Sequence, residues 1–151
     1  MANLSVAVLG AYQATLDNQP LAKFRTNKAK ALFIYLLVEE ALRAGHVIHQ
    51  RESLLALLWP DLSKTSAQAN LRQALYHLSH KIPPLTTLHS PNCQPLLLSE
   101  RQTVEVNPNA VYRLDVIDFW QHDHFYRNHS HANVFSCADC QERLEAAVSL
   151  Y

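Results

Sequence analysis

Glycine is nearly missing from this chain: Gly10 and Gly45 are the two among 151 residues. Phosphate-cradling loops need several residues without a Cβ, so glycine-rich nucleotide sites are excluded. Long apolar runs are missing as well. None approaches the roughly 20 residues that cross a bilayer, and residues 1–9 lack the basic start and cleavage site of a signal peptide. The expectation is a cytoplasmic chain with no membrane partner. The cysteines are three, Cys93, Cys137 and Cys140; an odd count without an export signal argues against a disulfide framework. Ser, His and Asp are present, but none lies in a nucleophile turn, so the chain is not expected to be an enzyme and no cofactor is implied.

Net charge is the last absence, and it is deceptive. Thirteen Lys/Arg balance thirteen Asp/Glu, yet they are unevenly spread. Residues 1–61 hold six basic and five acidic side chains, residues 62–99 hold three and none, and residues 100–151 hold four and eight. A phosphate responds to the local field within about one Debye length, roughly 10 Å, so a basic middle and an acidic tail matter more than their sum. The hydrophobic content of 48% is enough for a packed core.

Leu4–Leu9 and Tyr12–Leu16 read as two short strands turned at Gly10-Ala11. Asp17–Pro20 is a turn cluster, with a brief third strand around Leu21. Thr26 is a suitable N-cap for a helix from Asn27 to Ala44, with a stripe near the 3.6 period through Ala31, Leu32, Tyr35, Leu36, Val38 and Glu39 and a stop at Gly45. A second helix starts at His49 or Gln50 and ends at Leu58, before Trp59-Pro60. A polar loop then leads to a third helix, from about Ser66 to Ile82, stopped by Pro83-Pro84. After a loop through Pro91 to Pro95, Leu96–Leu98 and Thr103–Val106 form a hairpin with Arg101 and Gln102 at its tip. Asp115–Trp120 begins a short helix, a histidine-rich stretch follows, and Ala138–Tyr151 reads as another helix with Leu144, Ala147, Val148 and Tyr151 on one side. Its abrupt end suggests a chain cut from something longer.

Strands, three helices and a closing hairpin make an α+β winged helix-turn-helix. At about 100° per residue, Leu71, Leu75, Leu78 and Ile82 fall within about 60° of one another and must be buried. The opposite face carries Asn70, Arg72, Gln73, Tyr76, His77 and His80 and no carboxylate. A major groove about 12 Å wide admits one helix whose donors and acceptors meet base edges. These six are the base-contact candidates; the competing reading is a solvated surface, and Asn70 could instead brace the helix start. Arg25, Thr26, Lys28 and Lys30 at the first helix start, Lys81, and Arg101, Gln102 and Thr103 on the hairpin are the phosphate candidates, since helix N-termini favour anions. The first-helix group reads equally well as a solvated basic turn. Trp59 reads as core packing.

Phe24–Leu32, Leu55–Asp61 and Ala69–Leu78, followed by Leu97–Val104, resemble the N-terminal domain of SARP-type bacterial transcriptional activators, with its OmpR-like winged helix. The chain departs at His77, Ser79 and His80, where such proteins are often arginine-rich. The resemblance implies a winged-helix DNA-binding domain over residues 1–112 and, at 113–151, the truncated start of a tetratricopeptide-like bacterial transcriptional activation domain. It further implies double-stranded DNA with direct repeats as partner, a possible homodimer on DNA, and Pro60, Asp61, Ser63, Lys64 and Thr65 facing RNA polymerase. The alternatives are a protein-interaction module on the same fold and a zinc-dependent sensor. The latter would use His129, His131, Cys137 and Cys140, with His122 and His124 nearby. One Cys-x-x-Cys with loosely spaced histidines is a weak signal, because structural zinc wants four ligands. Two cysteines on one helical face, packed as small hydrophobes, are the expectation.

Overall fold

The computed structural model describes residues 2–43, 45–88, 92–130 and 133–151. Ala44, Pro91 and His131, expected as a helix end, a loop start and a ligand, lie outside the described residues. Three strands, β1 (Leu4–Ala7), β2 (Gln13–Leu16) and β3 (Gln19–Pro20), open the chain. Asp17 and Asn18 take left-handed φ angles of 50° and 64° between β2 and β3, so the expected four-residue turn cluster is a two-residue turn. The third strand accordingly lies just before Leu21. Asp and Asn tolerate that backbone because their short polar side chains bond locally.

The first helix, α1 (Asn27–Leu42), starts as expected on Thr26, whose Oγ1 accepts from the Ala29 amide at 3.1 Å. It buries Ala29, Leu32, Phe33, Leu36 and Leu37. The expected stripe is therefore rotated: Ala31 is exposed, and Phe33 and Leu37 replace it in the core. The second helix, α2 (Arg51–Leu58), is preceded by a strand the sequence reading missed, β4 (Ile48–Gln50). Ile48 and Gln50 face out and His49 faces in, the period-2 alternation of a half-buried strand. The third helix, α3 (Lys64–Lys81), begins earlier than expected, because Ser63 Oγ accepts from the Ser66 amide at 3.3 Å as its N-cap. Lys64 and Thr65 thus belong to its first turn, and the preceding loop shortens to residues 59–63.

The hairpin is β5 (Leu97–Ser99) and β6 (Thr103–Val106), and β4 joins it to give a three-stranded antiparallel sheet ordered β4-β6-β5. A last strand, β7 (Tyr112–Leu114), pairs in parallel with β1, and the other sheet runs β3-β2-β1-β7. The core lies between, with Leu32, Phe33, Leu36, Leu85 and Val104 wholly shielded. The architecture is the α+β winged helix expected from the element order.

Beyond β7, α4 (Asp115–Asn128) and α5 (Ala138–Val148) form a helix pair. The stretch of histidines expected after a short helix is itself helical as far as Asn128: it holds no Pro or Gly, and Trp120 stacks on His124 one turn on, ring centroids 4.9 Å apart. Of the apolar side expected on α5, Ala147 is buried, whereas Val148 and Tyr151 face outward. The pair is tied to the first sheet. Asp115 Oδ2 accepts the amides of Val8 at 2.8 Å and Leu9 at 2.9 Å, and a Cβ on Gly10, whose φ is 73°, would meet the Tyr151 carbonyl at 2.9 Å.

Two histidines make stability depend on pH in opposite senses. His46 places Nδ1 2.9 Å from Glu40 and Nε2 2.9 Å from Glu105. Both ring nitrogens can donate only as imidazolium, so these carboxylates raise its pKa above 6.5. His49 is buried in β4, and burial lowers its pKa below 6.5. The His46 contribution is complete below pH 6.5 and is lost as pH rises through the raised value. The unfolded state gains protons over His49 as pH falls below 6.5. Urea midpoints of the wild type should therefore decline on the alkaline side, and His46→Ala should flatten that limb while leaving the acid limb intact; an unchanged alkaline limb contradicts the bridge. Asp115→Ala should cost about 1–3 kcal/mol in the same measurement, because two amides lose their acceptor.

Candidate nucleic-acid interface

The geometry of the surface follows from how α3 is anchored. Ala67, Leu71, Ala74, Leu75 and Leu78 are buried in one stripe, continued by Ile82. With that stripe inward, the helical period turns Arg72, Gln73, Tyr76, Ser79 and His80 to solvent and leaves Asn70, His77 and Lys81 at the margins. Leucines inward and polar residues outward is the arrangement expected from the sequence. Among the described residues, the side chains of Asn70, Arg72 and Gln73 carry no protein hydrogen bond, so their donors and acceptors are available.

Tyr76 and His80 are more committed. Their rings lie 3.9 Å apart, and the His80 Nδ1 sits 2.9 Å from the Tyr76 carbonyl oxygen. Together they make a tilted aromatic pair near the end of the helix.

On one flank stands the start of α1. Arg25, Thr26, Lys28, Trp59, Asn70, Gln73 and His77 line a common cleft, and Arg25 Nη1 reaches His77 Nε2 at 3.2 Å. Phosphate and base candidates from distant parts of the sequence, up to 52 residues apart for Arg25 and His77, thus share one hollow. No acidic residue occupies the first turn of α1 or of α3. Two of the basic candidates are partly engaged: Lys30 lies 4.1 Å over the Tyr12 ring, and Lys81 donates to the Lys23 carbonyl at 2.8 Å. Thr26 spends its oxygen on the helix cap. Trp59 packs against the core as expected.

On the other flank lies the hairpin. Arg72, Arg101, Gln102 and Gln68 line a groove with Arg51 and Glu52, while Thr103 opens β6. Arg51, which sequence reasoning passed over, holds the hairpin in place. Its Nε donates to the Glu100 carbonyl at 2.9 Å, its Nη2 to Ser99 Oγ at 2.6 Å, and its amide to the Gln102 carbonyl at 2.9 Å. The strand Ile48–Gln50 was the signal that could have found it, since a residue directly after a strand paired to β6 must lie beside the β5–β6 tip. Glu52 is the one carboxylate in this groove's lining, and Lys64 Nζ pairs with it at 2.7 Å.

Pro60, Asp61, Ser63, Lys64 and Thr65 are all exposed, on the side of α3 where its helix begins. His129, Cys137 and Cys140 stand apart from this surface and converge with one another at the α4–α5 junction.

This fold is shared with a known protein. The whole chain matches Mycobacterium tuberculosis EmbR, solved in complex with a low-affinity phosphopeptide, with a TM-score of 0.69 at 18% sequence identity. The chain spans 36% of that protein's length. No family model and no curated protein matches the sequence.

Arg51→Met should free the hairpin without unfolding the domain. Hydrogen exchange at the amides of Glu100 and Thr103 should accelerate by the factor corresponding to about 0.5–1.5 kcal/mol per lost bond, while α1 amides keep their protection. Equal acceleration throughout would show that Arg51 supports the whole fold instead.

Proposed function

We propose that this chain is the promoter-reading unit of a bacterial transcriptional activator. The observation that carries the reading is the acid-free outer face of α3, flanked by the basic start of α1 on one side and by Arg101 on the other. Asn70 and Gln73 have the paired donor and acceptor that adenine presents in reverse, and Arg72 suits guanine or a phosphate. Tyr76, His77 and His80 extend the reading face. Arg25, Thr26, Lys28 and Lys30, together with Lys81, Arg101, Gln102 and Thr103, hold the backbone on either side.

The resemblance to SARP-type activators supports the finer points. Residues 1–112 serve as the DNA-binding domain and residues 113–151 as the start of the helical activation module. Pro60, Asp61, Ser63, Lys64 and Thr65 face RNA polymerase, and two chains bind adjacent direct repeats. No catalytic role is assigned.

A gel shift on promoter fragments with direct repeats tests this reading. Binding should weaken with salt, log K falling by about 0.9 per phosphate neutralised. Gln73→Ala or Arg72→Ala should cost about 1–3 kcal/mol on the cognate site, whereas Arg101→Ala should weaken all sequences alike. Absence of any salt-sensitive shift at micromolar protein would favour a protein-interaction module instead.

A further inference from the structure

The α4–α5 pair lies side by side, yet few of its side chains are buried. Asp115 is the buried residue of α4, and Cys140 and Ala147 are those of α5. Phe135 and Val148 are 86% and 71% exposed. Such a pair gains little from apolar burial, and small units of this kind are commonly held by a crosslink or a metal.

A polar cluster sits where the two helices meet. His129 is the C-cap of α4, Cys137 the N-cap of α5, and Cys140 lies in the first turn of α5. His129 Nδ1 is 3.0 Å from Cys140 Sγ and 3.5 Å from Cys137 Sγ, and the three atoms all lie within 4.8 Å of one another. Zn–S bonds of about 2.3 Å and Zn–N bonds of about 2.0 Å at the tetrahedral angle separate nitrogen from sulfur by about 3.5 Å. The Cys137 spacing matches that value, and the Cys140 spacing of 3.0 Å falls short of it by an amount a small side-chain shift supplies.

We propose that His129, Cys137 and Cys140 bind one zinc ion, or a similarly thiophilic divalent cation, which clamps α4 to α5. Cys137, in the extended N-cap position, and Cys140, in the first turn of α5, lie three residues apart at the helix start, and both sulfurs come to the same histidine. Cys140 is wholly shielded and His129 and Cys137 are half-buried, so the three ligands reach the ion from the protein side. The fourth tetrahedral position is left to solvent or to another donor. Burial and the adjacent Cys137 hold the Cys140 thiol above its ordinary pKa; a cation offsets this by stabilising the thiolate, and binding releases protons. Cys93 is exposed and takes no part.

The test uses the 151-residue chain, purified with reductant, loaded with zinc and then dialysed. Elemental analysis should give about one zinc per chain, and cobalt(II) in its place should produce a thiolate-to-cobalt charge-transfer absorption in the near ultraviolet. Cys137→Ser/Cys140→Ser and His129→Ala should each reduce the stoichiometry to near zero, while Cys93→Ser should retain full loading. Chelator should lower the melting temperature of the wild type. Should a variant fail to fold, a zinc titration of the wild type against a chromogenic chelator stands in its place, with saturation at one equivalent expected. Fully reduced wild type holding far less than one zinc per chain overturns the proposal, as does a charge-transfer band that survives loss of both Cys137 and Cys140. Metal loading is read without DNA, so its failure and a failed gel shift remain separate results.

Discussion

The surface depends on one constraint: the leucine stripe of α3 has to be out of water. Leu71, Leu75 and Leu78 are pressed toward α1, whose own Leu32, Phe33, Leu36 and Leu37 are shielded completely. A fully buried leucine contributes about 1.5–3 kcal/mol relative to an exposed one, so rotating α3 about its axis would forfeit several such terms. The orientation of Arg72, Gln73 and Tyr76 is therefore set by side chains that never meet a ligand. The polar face is held still because the apolar face has a single place to go.

Charge is organised around that axis. At about 1.5 Å per residue α1 spans roughly 24 Å, with Arg25, Lys28 and Lys30 at its start and Glu39, Glu40 and Arg43 at its end. The carboxylates at the far end are occupied locally: Glu39 with Arg43 at 2.8 Å, and Glu40 and Glu105 with His46 at 2.9 Å each. A chain of zero net charge thus presents a basic side, and exposed pairs such as Glu52–Lys64 serve to quiet a carboxylate more than to stabilise the fold.

The segment after β7 is integrated with the first sheet at a few defined points. Asp115 closes the end of β1, and the Tyr151 backbone passes so near Gly10 that a side chain there has no room. What joins α4 to α5 is more polar, a histidine between two sulfurs with the Arg143 guanidinium over the Phe125 ring and the Tyr151 ring edge-on to Phe119. The two ends of this molecule are held by different physics, leucine burial in the winged helix and polar convergence in the helix pair.

Periodicity carried much of this structure into view. The α3 leucines, the Thr26 cap, the hairpin tip at Arg101 and Gln102, and the acid-free face are local properties, because a helix or hairpin displays them at fixed short spacings. The short strands escaped: β4 and β7 are three residues each, and only pairing with β6 and β1 distinguishes them from loop. The same limit hid Arg51, whose importance exists only once β4 lies against the hairpin. It hid the joining of Arg25 to His77 as well, whereas His129 and the two cysteines were grouped by residue type and only their distances awaited the fold. By itself the sequence determined which residues must share a face, since backbone geometry repeats every few positions; which faces meet was decided by tertiary packing, because contacts between distant segments have no fixed spacing along the chain.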